Sequence, residues 1–327
     1  MRPPRRSKSA RLFIVAIINM TEIKTYPLII IGAGPAGLAA SIYASRYGVK
    51  HIIVGELLGG LIAETHLIDN YPGIEDVTGF EFGQKLAHHA QKYGVEIMPG
   101  RVQKIFKAEA DFEIELAGGG IISSKAILIA TGTKHRKLGI KGEEEFLGKG
   151  VSYCATCDGF FYKNKTVAVV GGSDSAAGAA VYLSEICEKV YLIYRRKKLR
   201  AEDFWVNLVE KNSKIEVVYN TNIVEILGAE KVCEVQLDKI YKNAETLSVD
   251  GLFIEAGSVP SIDFAGGLEL ETDENGYIKI KSDSSTSTLG VWAAGDTTTG
   301  SDKFCQVITA CAEGAIAARS ISNYLKK

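Results

Sequence analysis

The sequence predicts an α/β protein built from two Rossmann-like nucleotide-binding units, and three observations lead there. A glycine-rich turn, Gly32-Ala33-Gly34-Pro35-Ala36-Gly37, follows the apolar run Pro27-Leu28-Ile29-Ile30-Ile31. A second turn, Gly171-Gly172-Ser173-Asp174-Ser175-Ala176, follows a second run, Thr166-Val167-Ala168-Val169-Val170. Between them stand Cys154-Ala155-Thr156-Cys157 and Asp158. Short runs rich in β-branched residues read as parallel strands buried on both faces.

The size and composition agree with that class. A chain of 327 residues is long enough for about two domains with real cores. Hydrophobic residues make up 46% and charged residues 24%, and 34 glycines accompany 7 prolines, which suits an α/β protein with many tight turns. A net charge of −1 gives no general attraction to nucleic acid or to an anionic membrane. Of six cysteines only Cys154 and Cys157 are closely spaced, so a reducing, cytoplasmic setting with one working pair is expected. Cys187, Cys233, Cys305 and Cys311 are expected to pack as small hydrophobes. Residues 1–8 are basic and precede the apolar run 12–18, which is too short for a bilayer span of about 20 residues. No small-x-small cleavage site follows, and Met20 is the expected start, so residues 1–20 read as an extension outside the fold.

In the first unit, Ala36–Tyr47 reads as a helix and Val49–Val54 as a strand, the β-α-β context that gives the first glycine turn its meaning. Its glycines allow a tight turn and close backbone approach, and the helix start presents N–H groups to a pyrophosphate. Glu56, 24 positions after Gly32, is the candidate ribose-binding acid. Gly59-Gly60 and Asp69-Asn70-Tyr71-Pro72-Gly73 are loop chemistry. Gly79–Tyr93 reads as a helix with His88 and His89 on its surface. Val95–Ile122 reads as a meander of strands, and Ala126–Ala130 as a buried strand that Thr131-Gly132 returns toward the nucleotide.

In the second unit, a helix over Ala177–Leu183 and a strand over Val190–Tyr194 follow the glycine turn. Arg195, Arg196 and Arg200 stand where an NAD-binding unit carries an acid, and guanidinium forks there suit the 2′-phosphate of NADPH. Ile215–Leu237 and Glu245–Ile254 complete a second sheet that ends at Glu255-Ala256-Gly257. Thr286–Asp296 reads as a strand ending on Gly295-Asp296, a carboxylate placed to accept hydrogen bonds from sugar-alcohol hydroxyls. Ile308–Leu325 reads as an amphipathic closing helix.

A C-x-x-C pair closes a disulfide, works as a dithiol or supplies half a metal site. A tetrahedral metal site needs two more ligands, and Cys305 and Cys311, six apart, are poor candidates, so no metal is expected. The position of the pair between two nucleotide turns favours a redox relay.

Five motifs in this order, namely Gly32–Gly37, Thr131-Gly132, Cys154–Cys157 with Asp158, Arg195-Arg196 with Arg200, and Gly295-Asp296 before Gln306, resemble the low-molecular-weight thioredoxin reductases. The resemblance runs from about Tyr26 to Tyr324. It implies two three-layer ββα nucleotide-binding domains, with an FAD domain made of residues 21–138 and 261–327 and an NADPH domain, residues 139–260, inserted into it. It implies FAD held around Gly32, Gly34, Pro35, Ala36, Gly37, Glu56, Gly60, Asn70, Thr131, Gly132, Gly295, Asp296, Gln306 and Val307. NADPH would lie around Gly172, Ser173, Asp174, Ser175, Ala176, Arg195, Arg196, Arg200 and Gly257. The catalytic residues would be Cys157 beside the flavin, Cys154 more exposed for exchange, and Asp158 as proton donor. The implied partner is thioredoxin or a thioredoxin-like or glutaredoxin-like protein, and the implied assembly is a homodimer. A same-fold reductase fed by NADH or another donor, or a dithiol oxidase, is the alternative. Five positions depart from the family pattern: Leu61 for glutamine, Ser173 for the second glycine, Gly178-Ala179 for an acidic pair, Tyr194 for histidine and Cys305 for arginine. Three of the five lie in the nicotinamide domain and bear on the donor.

The cysteine pair ends only 14 residues before Gly171, so disulfide and nicotinamide belong to one domain and compete for one flavin face. A swivel about linkers near Thr133–Lys141 and Gly257–Phe264 is therefore expected.

Overall fold

The computed structural model describes residues 23–108 and 111–327, so the expected extension over residues 1–20 lies outside the described residues. Strand β1 (Lys24–Ile31) leads through the first glycine turn into α1 (Pro35–Arg46) and β2 (His51–Gly55). β1 is exposed where it begins and buried over Leu28–Ile31, as its apolar run requires. Successive side chains feed opposite faces. Leu28 and Ile30 join the helix-side core, while Ile29 and Ile31 join a second core with Val102, Ile105 and Ile114. Leu28, Ile29 and Ile30 are fully buried, each worth about 1.5–3 kcal/mol relative to exposure.

Helix α2 (Gly79–Gln91) starts at a Thr78–Glu81 capping box, which satisfies two N-terminal donors reciprocally. His88 and His89 are exposed on it, as expected. The meander resolves into β3 (Glu96–Pro99), β4 (Val102–Lys107), β5 (Phe112–Leu116) and β6 (Ile121–Ile129). The sequence suggests two strands where β6 is one. Its first half closes an antiparallel ladder with β5 on one side, and Ile122–Ile129 run parallel to β1 on the other. The same strand thus links the antiparallel layer to the nucleotide-binding layer.

The chain then crosses to the second unit through β7 (Thr133–His135). There follow β8 (Val151–Ser152), α3 (Ala155–Asp158), β9 (Thr166–Gly171), α4 (Asp174–Ile186), β10 (Lys189–Tyr194), α5 (Asp203–Lys211) and β11 (Ile215–Tyr219). Next come β12 (Ile223–Gly228), β13 (Val232–Tyr241), β14 (Ala244–Ser248) and β15 (Gly251–Glu255). A parallel sheet in the order β11-β10-β9-β15-β8 carries the nucleotide turn. β12-β13-β14 form a separate antiparallel sheet rather than extending the first, a correction to the single sheet expected from Ile215–Ile254. Lys242 and Asn243 both take positive φ, the backbone of a tight hairpin turn, and fold β14 back onto β13. The second unit thus has its own third layer.

The chain returns through β16 (Ser258–Pro260), which pairs antiparallel with β7, so both crossings form one two-stranded ribbon. Thr131 Oγ1 donates to the Ser261 carbonyl (2.7 Å), and the Ser261 N–H donates to the Gly132 carbonyl (3.0 Å), securing the ribbon at its base. β17 (Val291–Ala293) then pairs with β6 on the first sheet. It is shorter than the strand expected over Thr286–Asp296, because the flanking residues turn through Gly290 and Gly295, both at positive φ. Helix α6 (Val307–Leu325) lies tightly along α1: a Cβ on Gly314 would stand 2.1 Å from the Ala36 carbonyl oxygen. The first and last segments therefore build one unit around the second.

Candidate active site

A cavity of about 860 Å3 lies between the two units. The first glycine turn forms one wall. Gly32 has φ +114°, and a Cβ there would lie 2.1 Å from the Ala130 carbonyl oxygen; a Cβ on Gly37 would lie 2.0 Å from the Gly32 oxygen. These two glycines serve the tight turn and helix–strand packing, and Gly37 is not on the cavity wall. Gly34 is the N-cap of α1 and has no neighbour closer than 3.8 Å to a built Cβ, so it leaves open space beside the helix start. No side chain caps α1, and its first N–H groups remain free for an anion.

Pro35, Ala36, Glu56, Gly60, Asn70, Thr131 and Gly132 line the same cavity, as do Gly295, Asp296, Gln306 and Val307 from the far end of the chain. The Asn70 amide donates to Gln306 Oε1 (2.9 Å), joining segments 236 residues apart. Burial first, and the charge of Glu313 second, push the Asp296 carboxyl up to about 6. Glu313 is itself buried, accepting from the Gly295 N–H (2.8 Å), Thr298 Oγ1 (3.0 Å) and Ser301 Oγ (2.6 Å). It anchors the loop that presents Asp296, and its position inside an alanine-rich helix hides it in the sequence. An open glycine before a free helix N-terminus, an acid at the end of β2 and a buried carboxyl at the opposite wall suit the pyrophosphate, ribose and sugar-alcohol chain of FAD.

The second turn meets this cavity differently. Ser173, Asp174, Ser175 and Gly257 line it, whereas Gly172 and Ala176 do not. A Cβ on Gly172 would collide with the Tyr194 ring at 2.4 Å, so this glycine accommodates the ring. Asp174 Oδ1 accepts from the Glu202 N–H (2.7 Å), and Trp205 covers Gly178 at 3.5 Å from a built Cβ. Arg195, Arg196 and Arg200 are exposed at the end of β10, off the cavity wall. The Arg200 N–H donates to the Gly172 carbonyl (2.6 Å), which brings this arginine back to the glycine turn. Tyr182, Phe204 and Trp205 enter from α4 and α5; the sequence reading missed α5, although its apolar positions recur at helical spacing.

Cys154 and Cys157 form a disulfide with Cα atoms 5.3 Å apart. α3 starts directly after Cys154, and the Cys157 N–H donates to Cys154 Sγ (3.1 Å). Cys154 lines the cavity and Cys157 is exposed. This arrangement reverses the exposures implied by the resemblance, because Cys154 caps the helix start facing the cavity while Cys157 lies a turn further on. Asp158 is half-buried and off the cavity wall. Phe160 and Phe161, just beyond, are 72% and 71% exposed, an apolar surface beside the outward sulfur. Cys187 and Cys311 are buried, as expected, but Cys233 and Cys305 are exposed. Glu64, His66, His135, Tyr153 and Glu255 also line the cavity, none of them marked by a sequence motif.

A family profile described as pyridine nucleotide-disulphide oxidoreductase matches residues 26–314. The thioredoxin reductase of Listeria innocua is 37% identical over 310 residues, covering 94% of this chain and 96% of the relative. The crystal structure of Lactococcus lactis thioredoxin reductase in its FR conformation matches with a TM-score of 0.87 at 35% identity, over 92% of this chain and 99% of that one. The thioredoxin reductase structure from Streptococcus pyogenes matches at 34% identity over 93% and 99% of the two chains, with a TM-score of 0.61.

Proposed function

The chain belongs to the pyridine nucleotide-disulphide oxidoreductase family, and from that premise we propose that it is an FAD-dependent thioredoxin-disulfide reductase. It takes electrons from NADPH and delivers them through the Cys154–Cys157 disulfide to thioredoxin or a thioredoxin-like protein. The observation that carries this reading is the disulfide itself, with Cys154 on the wall of the cavity that both nucleotide turns line. Bound FAD supplies two-electron transfer between a nicotinamide and a disulfide.

The residues divide the work. Gly34 and the start of α1 receive the pyrophosphate, Glu56 the ribose and Asp296 the sugar-alcohol chain. Ser173–Ser175 and Gly257 hold the nicotinamide nucleotide, with Arg195, Arg196 and Arg200 gripping its 2′-phosphate from outside the cavity. Cys154 and the second nucleotide turn share a unit, so they cannot occupy the same place against the first unit at once. Rotation about the β7–β16 ribbon exchanges them. At nearly equal coverage and identity the comparison structures match with TM-scores of 0.87 and 0.61, a spread that two placements of the same blocks would give.

Once rotated, the Cys154 thiolate attacks the partner's disulfide and forms a mixed disulfide. The Cys157 thiolate then attacks the Cys154 sulfur, re-forming the internal disulfide and releasing the partner as a dithiol. Asp158 moves the proton. Phe160 and Phe161 offer apolar contact to the partner beside this exchange. The working form is a cytoplasmic homodimer; no helix among the described residues is long and apolar enough to cross a membrane.

Anaerobic titration of the flavin-bound protein with NADPH and, separately, NADH tests the donor: NADPH bleaches the flavin at far lower concentration. Bleaching by NADH alone, or by neither, overturns the NADPH assignment. Cys154→Ser and Cys157→Ser each abolish thioredoxin reduction while NADPH still bleaches the flavin; retained thioredoxin reduction in either variant overturns the relay.

A further inference from the structure

Three titratable side chains from three separate parts of the chain line the cavity that Cys154 also lines. Glu64 belongs to the 3-10 turn after β2, His135 to β7 and Glu255 to the end of β15. His135 Nε2 lies 3.0 Å from Glu64 Oε2, each side chain 29% exposed. The His135 ring stacks on Tyr153 at 5.5 Å, and Tyr153 directly precedes Cys154. The Glu64 backbone carbonyl accepts the Thr156 hydroxyl, whose oxygen lies 3.4 Å from Cys154 Sγ. Glu255 ends the strand that pairs with Gly171, so it sits at the nucleotide turn of the second unit. Glu64 thus belongs to the first unit, Glu255 to the second and His135 to the crossing between them.

We propose that Glu64, His135 and Glu255 form a proton-linked clasp over the crossing. It positions the Cys154 side of the disulfide against the cavity and gives up protons when the second unit rotates away. The proposal rests on the reductase reading and adds three positioning residues to it.

The charges support the clasp. The hydrogen bond to Glu64 is the main reason His135 is held above its ordinary value; burial opposes it and the charge of Glu255 adds to it. Burial pushes Glu255 up to about 7, His135 opposes that rise and Glu64 adds to it. Other charged or titratable groups nearby are engaged elsewhere. Tyr153 donates to Glu143 Oε1 (2.5 Å), Arg136 donates to the Ser258 carbonyl (3.3 Å), and Lys134 pairs with Asp263 (2.5 Å). Rotation returns His135 and Glu255 toward their ordinary values, 6.5 and 4.5. Both groups are raised in the clasped arrangement, so both stabilise it fully below those ordinary values. Their contribution declines as pH rises, and it is lost as pH passes about 7 at Glu255 and the raised value at His135.

The test measures the distance between spin labels on non-natural residues at the exposed positions Lys50 and Lys239 in the FAD-bound protein, across about pH 5.5 to 8.5. The clasped population is expected to fall about fivefold or more over this range. Glu255→Gln keeps a neutral group in place, and His135→Gln keeps a donor to Glu64 without titrating. Each is expected to cut the response to about two- to threefold, and the double variant to flatten it to less than about twofold. Glu64→Gln, which removes the charge that holds the His135 proton, provides the same readout where another variant fails to bind flavin. A flat wild-type profile, or wild-type slopes in the variants, overturns the clasp. Thioredoxin-coupled turnover of the wild type, measured on the same sample, separates the two failures: turnover with a flat profile removes the clasp alone, and absent turnover removes the reductase reading.

Discussion

Gly34 and Ser173 occupy equivalent places in the two units, each the N-cap of the helix that follows the first strand. Their backbones nearly coincide, with φ −84° and ψ −175° at Gly34, and φ −93° and ψ −179° at Ser173. Any residue adopts that extended conformation, so neither position needs glycine for its backbone. What glycine supplies at 34 is room, and Ser173 places a hydroxymethyl group in the corresponding room of the second unit. The surroundings reinforce the contrast. Neither helix start is capped by a side chain, and behind Gly34 α1 packs against α6 through small residues. Behind Ser173, Tyr194 fills the space at Gly172, Trp205 covers Gly178, and Asp174 and Glu202 add acidic groups to the wall. Two copies of one local fold thus differ in how easily a dinucleotide reaches the helix start, and the first is the better cradle.

The largest effect expected from breaking this comparison is at Gly32. Gly32→Ala combines a positive φ, costing about 1–3 kcal/mol, with a Cβ driven to 2.1 Å from the Ala130 oxygen. The variant should purify without flavin and melt well below the parent; a normal flavin-to-protein absorbance ratio would refute the assigned role of this turn.

Asp296 comes next. Its folded value is raised from 3.8 to about 6, so it contributes stability below about 3.8 that is lost as pH rises through about 6. In flavin-free protein, Asp296→Asn should remove that loss, on the order of 2–3 kcal/mol at neutral pH, and flatten the melting profile between about pH 4 and 7. The same variant should bind FAD more weakly. A stabilised apoprotein with weaker flavin binding would mark Asp296 as a group kept for a ligand at the expense of the fold. Unchanged flavin affinity would remove it from the binding site.

The part of this organisation that could be read in the sequence follows a physical rule. Leu28–Ile31 and Val167–Val169 announce buried parallel strands because a strand covered on both faces must be apolar throughout. The glycine turns and the C-x-x-C are legible because each needs particular residues at fixed spacing. Glu64, His135 and Glu255 are not legible. They lie 71 and 120 residues apart along the chain, and only the tertiary fold brings them to the wall of one cavity. The division of Ile215–Ile254 between two sheets is hidden for the same reason, since alternating strands do not state which neighbour they will join. The outward placement of Cys157 is not legible either, because the C-x-x-C spacing does not state which sulfur faces the cavity.

The sharpest test exchanges the two N-caps. Gly34→Ser imports the second unit's residue into the first without backbone strain, so the flavin-free protein should melt as the parent does. FAD affinity should fall about tenfold, the equivalent of about 1.4 kcal/mol, readable by fluorescence titration of the apoprotein. Ser173→Gly makes the opposite change and should lower KM for NADPH about threefold with kcat nearly constant, the signature of a change in ground-state binding alone. The smaller effect follows from the rest of the second cradle, because Tyr194, Trp205 and the acidic pair remain after the hydroxymethyl group has gone. A Gly34→Ser protein that keeps its flavin affinity would mean that the pyrophosphate does not approach this N-cap. A Ser173→Gly protein with a higher KM would mean that the serine hydroxyl is a hydrogen-bonding partner of the nucleotide, and the second turn would then be a cradle adapted to its donor instead of a crowded one.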